Sequence, residues 1–131
     1  MISLKSAELL TTVVQELAYT APQGWRKFVY YQEMLMDTEL GLRNKSIVKC
    51  WWGREMSVHP QTYVIGGSME VIRAIDALYE DSVKSDNTWK GVLLTVHDDG
   101  KYSSQFFYEK TPLLDNNNEE VDRIIAGAVK G

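Results

Sequence analysis

The chain has 131 residues, 44% hydrophobic and 24% charged, with a formal net charge of -4. That length suits one domain, residues 1–131, with a sizeable core, and the proportions are those of an ordinary globular chain. The acidic balance argues against a nucleic-acid binder, which needs a basic face, and is compatible with a basic protein partner.

Cys50 is the single cysteine, so no internal disulfide can form, and a reducing, cytoplasmic setting is expected. The first seventeen residues, MISLKSAELLTTVVQEL, lack a basic leading region and a cleavage site, and Lys5, Glu8 and Glu16 interrupt the apolar positions. Neither a signal peptide nor a membrane span is expected there.

Leu9, Leu10, Val13, Val14, Leu17 and Ala18 repeat at helical spacing, which predicts a first helix over residues 6–19. Ser6 is its candidate N-cap, and Pro22, Gln23 and Gly24 are its stop. Residues 25–36, WRKFVYYQEMLM, are rich in aromatic and β-branched side chains and predict a strand. Trp25, Val29, Tyr31 and Leu35 share one parity, and Phe28, Tyr30, Met34 and Met36 the other. A strand apolar on both faces is central or covered on both sides. Residues 39–45 form a polar connection, and 46–56 a second strand. An irregular stretch over 58–63 contains His59 and Pro60.

Gly66, Gly67 and Ser68 open a second helix, with Ser68 as N-cap. Met69, Ile72, Ile75, Leu78, Tyr79 and Val83 make its expected buried stripe, and Ser85, Asp86 and Asn87 close it. Residues 89–110, WKGVLLTVHDDGKYSSQFFYEK, then predict a hairpin. A two-residue turn at Asp99 and Gly100 scatters the apolar residues between faces. A three-residue turn with Gly100 left-handed pairs His97 with Lys101, and it gathers Val92, Leu94, Val96, Tyr102, Phe106 and Tyr108 on one face. The second register is preferred. The outer face then carries Leu93, Thr95, His97, Lys101, Ser103, Gln105 and Glu109, plus Phe107. An acidic, Asn-rich loop leads to a short last helix with Val121, Ile124, Ile125 and Ala128 as its stripe.

The order is α-β-β-α-β-β-α. Short connections between consecutive strands favour antiparallel pairing. The expected class is α+β, a four-stranded, mostly antiparallel sheet with helices packed on it.

Chemistry is sparsely supplied. A nucleophile–base pair would have to use His59 or His97. Cys50, in a strand beside Trp51 and Trp52, fits a small packing residue. One Cys and two His match no zinc spacing, and Asp98, Asp99 and Gly100 lack the acids that a calcium loop needs. No lysine follows Gly66, Gly67 and Ser68 in the P-loop position. Arg43, Lys45, Lys49 and Arg54, interleaved with Trp51 and Trp52, are the one stretch that suits single-stranded nucleic acid, but alternating solvated cations on a strand are the preferred reading. No catalytic residue, metal or cofactor is expected. Charge is unevenly spread: residues 1–65 sum to +1 and residues 66–131 to -5. Such an acidic half can steer a basic partner.

Trp89, the alternating Val92, Leu94 and Val96, the turn Asp99-Gly100-Lys101-Tyr102, and the aromatic ending at Tyr108 resemble the YezG-type antitoxin (immunity) family of small bacterial proteins. The helix over 68–84 sits where that family has one, and Trp25, Arg26 and Lys27 with Phe28 to Tyr31 resemble its first strand. Residues 50–63 and those after Pro112 depart from the pattern. The resemblance implies a non-catalytic protein that binds and neutralises a cognate toxin, often a nuclease, inside the cell that makes it. Toxins that act on nucleic acid tend to be basic, because phosphate contacts drive their affinity. The expected partner is therefore a basic nuclease domain, with no membrane and no direct nucleic-acid contact. The expected toxin-binding residues are Asp76, Glu80, Asp81, Asp98 and Asp99, with Phe107 or Trp52 as aromatic anchors. The rival readings are a non-catalytic binding or scaffold module for nucleic acid or protein, and a small enzyme.

Overall fold

The computed structural model describes residues 4–20, 24–52, 61–62 and 69–130. For Thr20, Trp52, Gln61, Thr62 and residues 128–130 the description covers the backbone alone. The elements are α1 (Leu4–Thr20), β1 (Trp25–Asp37), β2 (Gly41–Trp52), β3 (Gln61–Thr62), α2 (Met69–Lys84), β4 (Gly91–His97), β5 (Tyr102–Phe107) and α3 (Asn118–Lys130). The class is α+β, and the long elements follow the expected order α-β-β-α-β-β-α. The expected cap at Ser68, the glycines before it, His59, Arg54 and the strand end at Met56 lie outside the described residues.

The sheet order is β3-β2-β1-β4-β5, with antiparallel pairing throughout. β3 adds only a two-residue bridge, to Lys49 and Cys50 of β2. β1 is central, as its two apolar parities require. Helix α1 begins before Ser6, so Ser6 is no cap. Its Oγ instead donates to Asp81 Oδ2 at 2.9 Å, tying α1 to α2.

Residues 41–45, expected in a polar connection, belong to β2. Asp37 Oδ1 accepts the main-chain N–H groups of Glu39 (2.8 Å) and Leu40 (3.0 Å), and Gly41 takes φ +79°. This local closure lets a tight turn replace the connection. Pairing with β4 stops at Glu33 and Gly91, whereas the β1–β2 ladder continues to Asp37 and Gly41. The hairpin therefore projects beyond the rest of the sheet. Met36, Leu40 and Leu42 at its tip are exposed.

The β4–β5 hairpin has the three-residue turn and the expected register. His97 N donates to Lys101 O (2.9 Å), Gly100 N donates to His97 O (3.0 Å), and Gly100 has φ +88°. Val96 faces Tyr102 and Val92 faces Phe106.

Two cores sit on the two faces of the sheet. On one, Leu10, Val13, Val14 and Leu17 of α1 and Val71, Ile75 and Leu78 of α2 meet Phe28, Tyr30, Val48, Val92, Leu94 and Val96. Trp25 joins this core, although parity places it with Val29. The ladder shifts register between Trp25 and Lys27, and such a bulge moves the residue before it to the other face. Trp25 packs on Phe28 with ring centroids 5.2 Å apart.

On the other face, Val29, Tyr31, Trp51 and Leu93 meet Leu113, Val121 and Ile125. The β4 part of the hairpin's outer face is thus covered where water was expected: Leu93 and Thr95 are buried, and Phe107 is half-buried against Tyr31 at 5.9 Å, edge to face, while Ser103 and Gln105 of β5 stay exposed. The tail supplies the cover. A short turn over 111–116 closes with Asn116 at φ +59°, and Asn117 Oδ1 then accepts Glu120 N at 3.3 Å, capping α3.

Candidate functional site

The expected acidic residues divide by what they already do. Asp81 receives the Ser6 hydroxyl. Asp98 pairs with Arg26 at 3.4 Å, and Asp99 Oδ1 accepts Lys101 N at 2.9 Å within its own turn. Asp76 and Glu80 stand exposed on α2. Asp76, Glu80 and Asp81 therefore share a helix, whereas Asp98 and Asp99 serve the hairpin turn. Of the two aromatic candidates, Phe107 is half-buried, and the side chain of Trp52 lies outside the described residues.

Helix α2 faces its core with half of the expected stripe, Ile75, Leu78 and Tyr79, and with three residues that were not expected. Val71, Ala74, Ile75, Leu78, Tyr79 and Ser82 are buried, while Met69, Ile72 and Val83 are 56%, 49% and 52% exposed. At 3.6 residues per turn, Met69, Ile72, Asp76, Glu80 and Val83 fall within roughly 80° of the helix circumference. They make an outer stripe of three apolar and two acidic side chains. The sequence does carry a signal for this. Helix α2 holds more apolar residues than one stripe accommodates, and Val71 and Ala74 complete a second one with Ile75 and Leu78.

Helix α2 ends on a left-handed residue. Asp86 has φ +57°, Asn87 N donates to Ser82 O (3.0 Å), and Asp86 N donates to Val83 O (3.2 Å). This paired closure fixes the C-terminal end of the outer stripe.

The groups with chemical potential hold structural posts. Cys50 is buried, and burial pushes its thiol above the usual range, away from the reactive thiolate. His97 is half-buried beside the turn. The sequence reading missed Glu33, whose residue is 0% exposed. Its carboxyl accepts three hydrogen bonds: Tyr31 Oη at 2.6 Å, Leu113 N at 2.9 Å and Leu114 N at 2.8 Å. Pro112 precedes those two donors, so Glu33 caps the first turn of the tail from within the sheet. Burial, with Glu33 as a second cause, pushes the Tyr31 phenol far above its ordinary range. A Cβ at Gly91 would stand 2.9 Å from Tyr31 Oη, so this glycine makes room for the arrangement.

The basic strand is engaged with the tail. Lys45 Nζ donates to Asn116 Oδ1 at 3.2 Å, Lys49 lies 4.0 Å from Asp122, and Trp51 is buried in the second core. Trp51 accordingly offers no open ring for stacking a base. Among the described residues, no cluster of three His, Cys, Asp or Glu side chains is placed to hold a metal ion, and no helix is long and apolar enough to cross a membrane. An open groove of about 1170 Å³ runs along β5, walled on one side by Arg123, Ile124 and Gly127 of α3. No family model matches the chain, and no curated protein matches it.

Proposed function

We propose that this chain is an immunity protein, a non-catalytic inhibitor that binds a cognate bacterial toxin, with a basic nuclease domain as the expected partner, and blocks its active surface. The observation that carries this reading is the outer stripe of α2, where Asp76 and Glu80 stand exposed among exposed Met69, Ile72 and Val83. Apolar side chains in the middle of an interface supply affinity, and acidic ones among them steer a basic partner into register. The resemblance of residues 89–108 to the YezG-type family points the same way. Asp98 and Asp99 form a separate acidic group at the hairpin turn. The posts held by Glu33, Tyr31 and Cys50 support a binding role over a reaction, because each is committed to packing or capping.

The test is co-purification from the native host, followed by expression of any stoichiometric partner alone and together with this chain. The expected partner is toxic alone, harmless together, and released by high salt. Reversing Asp76 and Glu80 to lysine leaves the intramolecular bonds of Asp81, Asp98 and Asp99 in place, so it isolates the α2 surface. It should weaken the complex by about tenfold or more. Unchanged affinity in that double variant, with helicity intact, would exclude α2 as the docking face.

A further inference from the structure

Strand β5 is the end of the sheet and has no strand beyond it among the described residues. Its main-chain groups alternate in direction. His97 N donates to Lys101 O, and Lys90 N donates to Phe107 O, so the odd-numbered residues of β5 bond inward to β4. The N–H and C=O groups of Tyr102, Ser104 and Phe106 then point outward, away from the sheet.

Natural sheets guard such an edge with inward charges, proline, a bulge or a covering segment. From Tyr102 to Tyr108 the sequence is YSSQFFY, with no charge and no proline. The ladder with β4 runs from Gly91/Phe107 to Val96/Tyr102 without a break. Residues 102–105 are exposed on both faces. An open groove between β5 and α3 lies over the second face beside this edge. The opposite end of the sheet differs, since β3 lies on β2 there.

We propose that β5 is a homodimerisation edge, on which β5 of a second copy pairs antiparallel about a two-fold axis at Ser104. That register sets Ser104 opposite its own copy, Tyr102 opposite Phe106 of the second copy, and Ser103 opposite Gln105. It forms about six main-chain hydrogen bonds and two aromatic cross-strand pairs. A two-fold pairing sets Ser104 against its own copy at the axis, where a charge would repel itself, and no other pair in this uncharged run brings like charges together. A foreign strand chosen by charge would find nothing to read over these seven residues. Asp99 and Glu109 oppose each other only beyond the paired run.

The experiment is sedimentation equilibrium of the full chain over a wide concentration range, alone and with two substitutions at Ser104. Ser104→Lys keeps the backbone and places two like charges at the axis. Ser104→Pro removes an N–H that the β4 ladder does not use, and edge strands tolerate proline at such a position. Wild type should reach twice the chain mass, and either variant should raise the dissociation constant by about tenfold or more. Met36→Lys, at the exposed hairpin tip, serves as the control and should dimerise like wild type. A monomer up to about 1 mM overturns the proposal. So does a dimer that survives both Ser104 variants, or one that only Met36→Lys dissolves. None of these outcomes depends on a toxin partner.

Discussion

Glu33 shows how one side chain can hold two distant parts of a chain together. It lies about eighty residues from the main-chain donors it caps, and nothing local in the sequence announces that pairing. The one legible sign was a carboxyl within a strand whose two parities were both apolar, since such a group must find donors inside the protein. Glu33→Ala leaves the Leu113 and Leu114 N–H groups and the Tyr31 hydroxyl without their acceptor and should destabilise the fold by about 3 kcal/mol or more. Glu33→Gln keeps the shape and one oxygen but turns an amino group toward a donor, so the loss should be smaller, about 1–3 kcal/mol. Urea unfolding of both variants checks the order, and an alanine variant as stable as wild type would remove Glu33 from this role. Gly91 belongs to the same arrangement. Gly91→Ala pushes a methyl group against Tyr31 Oη and should cost about 1–3 kcal/mol. In a Tyr31→Phe background the nearest atom is gone, so the same change should cost less. A double-mutant cycle reads that coupling, and strict additivity would refute it.

Elements were legible where parity or punctuation was strong. The β4–β5 register followed from apolar parity, because a one-residue slip would have divided Val92, Leu94 and Val96 from Phe106. Half of the α2 stripe, Met69, Ile72 and Val83, was misjudged because that helix is apolar on two sides, and periodicity alone does not say which side faces the core. The start of β2 was hidden because the Asp37 turn is built from side-chain acceptance in a segment that reads as polar linker. The end of α2 gives a test at this scale. Asp86 holds φ +57°, a conformation that glycine adopts without the Cβ clash. Asp86→Gly should raise stability by about 0.5–1 kcal/mol, and Asp86→Val should lower it by at least as much. Thermal unfolding of the pair decides. Equal midpoints would mean that the turn does not constrain this residue.

The whole molecule is a sheet with a core on each face; the two apolar parities of β1 called for a central or doubly covered strand, and the sequence did not disclose what supplies the second core. It is assembled from Leu113, Val121 and Ile125 of the tail against odd-numbered residues of β1 and β4. The tail read as a polar loop and a short helix, which gave no indication of the face it covers. Burial at the sheet also decides how the protein responds to alkali. Lys27, on the odd face of β1, is buried, with its ammonium 5.9 Å from the centre of the Trp51 ring. Burial pushes its pKa below the ordinary lysine value. The folded chain therefore holds this proton less tightly than the unfolded chain does. By linkage, the Lys27 contribution rises with pH, from its lowered folded value up to about 10.4, where the unfolded lysine also loses its proton. Tyr30 and Tyr31 act in the opposite sense. Burial raises both phenols, so the stability they contribute is present below about pH 10 and is lost as pH climbs through their raised folded values. Comparison with Lys27→Met separates the two effects, because the tyrosines are common to both chains and cancel in the difference. The stability of wild type minus that of Lys27→Met should grow in favour of wild type as pH rises from the lowered folded value toward about 10.4. Urea unfolding of both chains across that window measures it. A flat difference would show that the Lys27 ammonium is as well accommodated beside Trp51 as in water, and a falling one would reverse the sign of its burial.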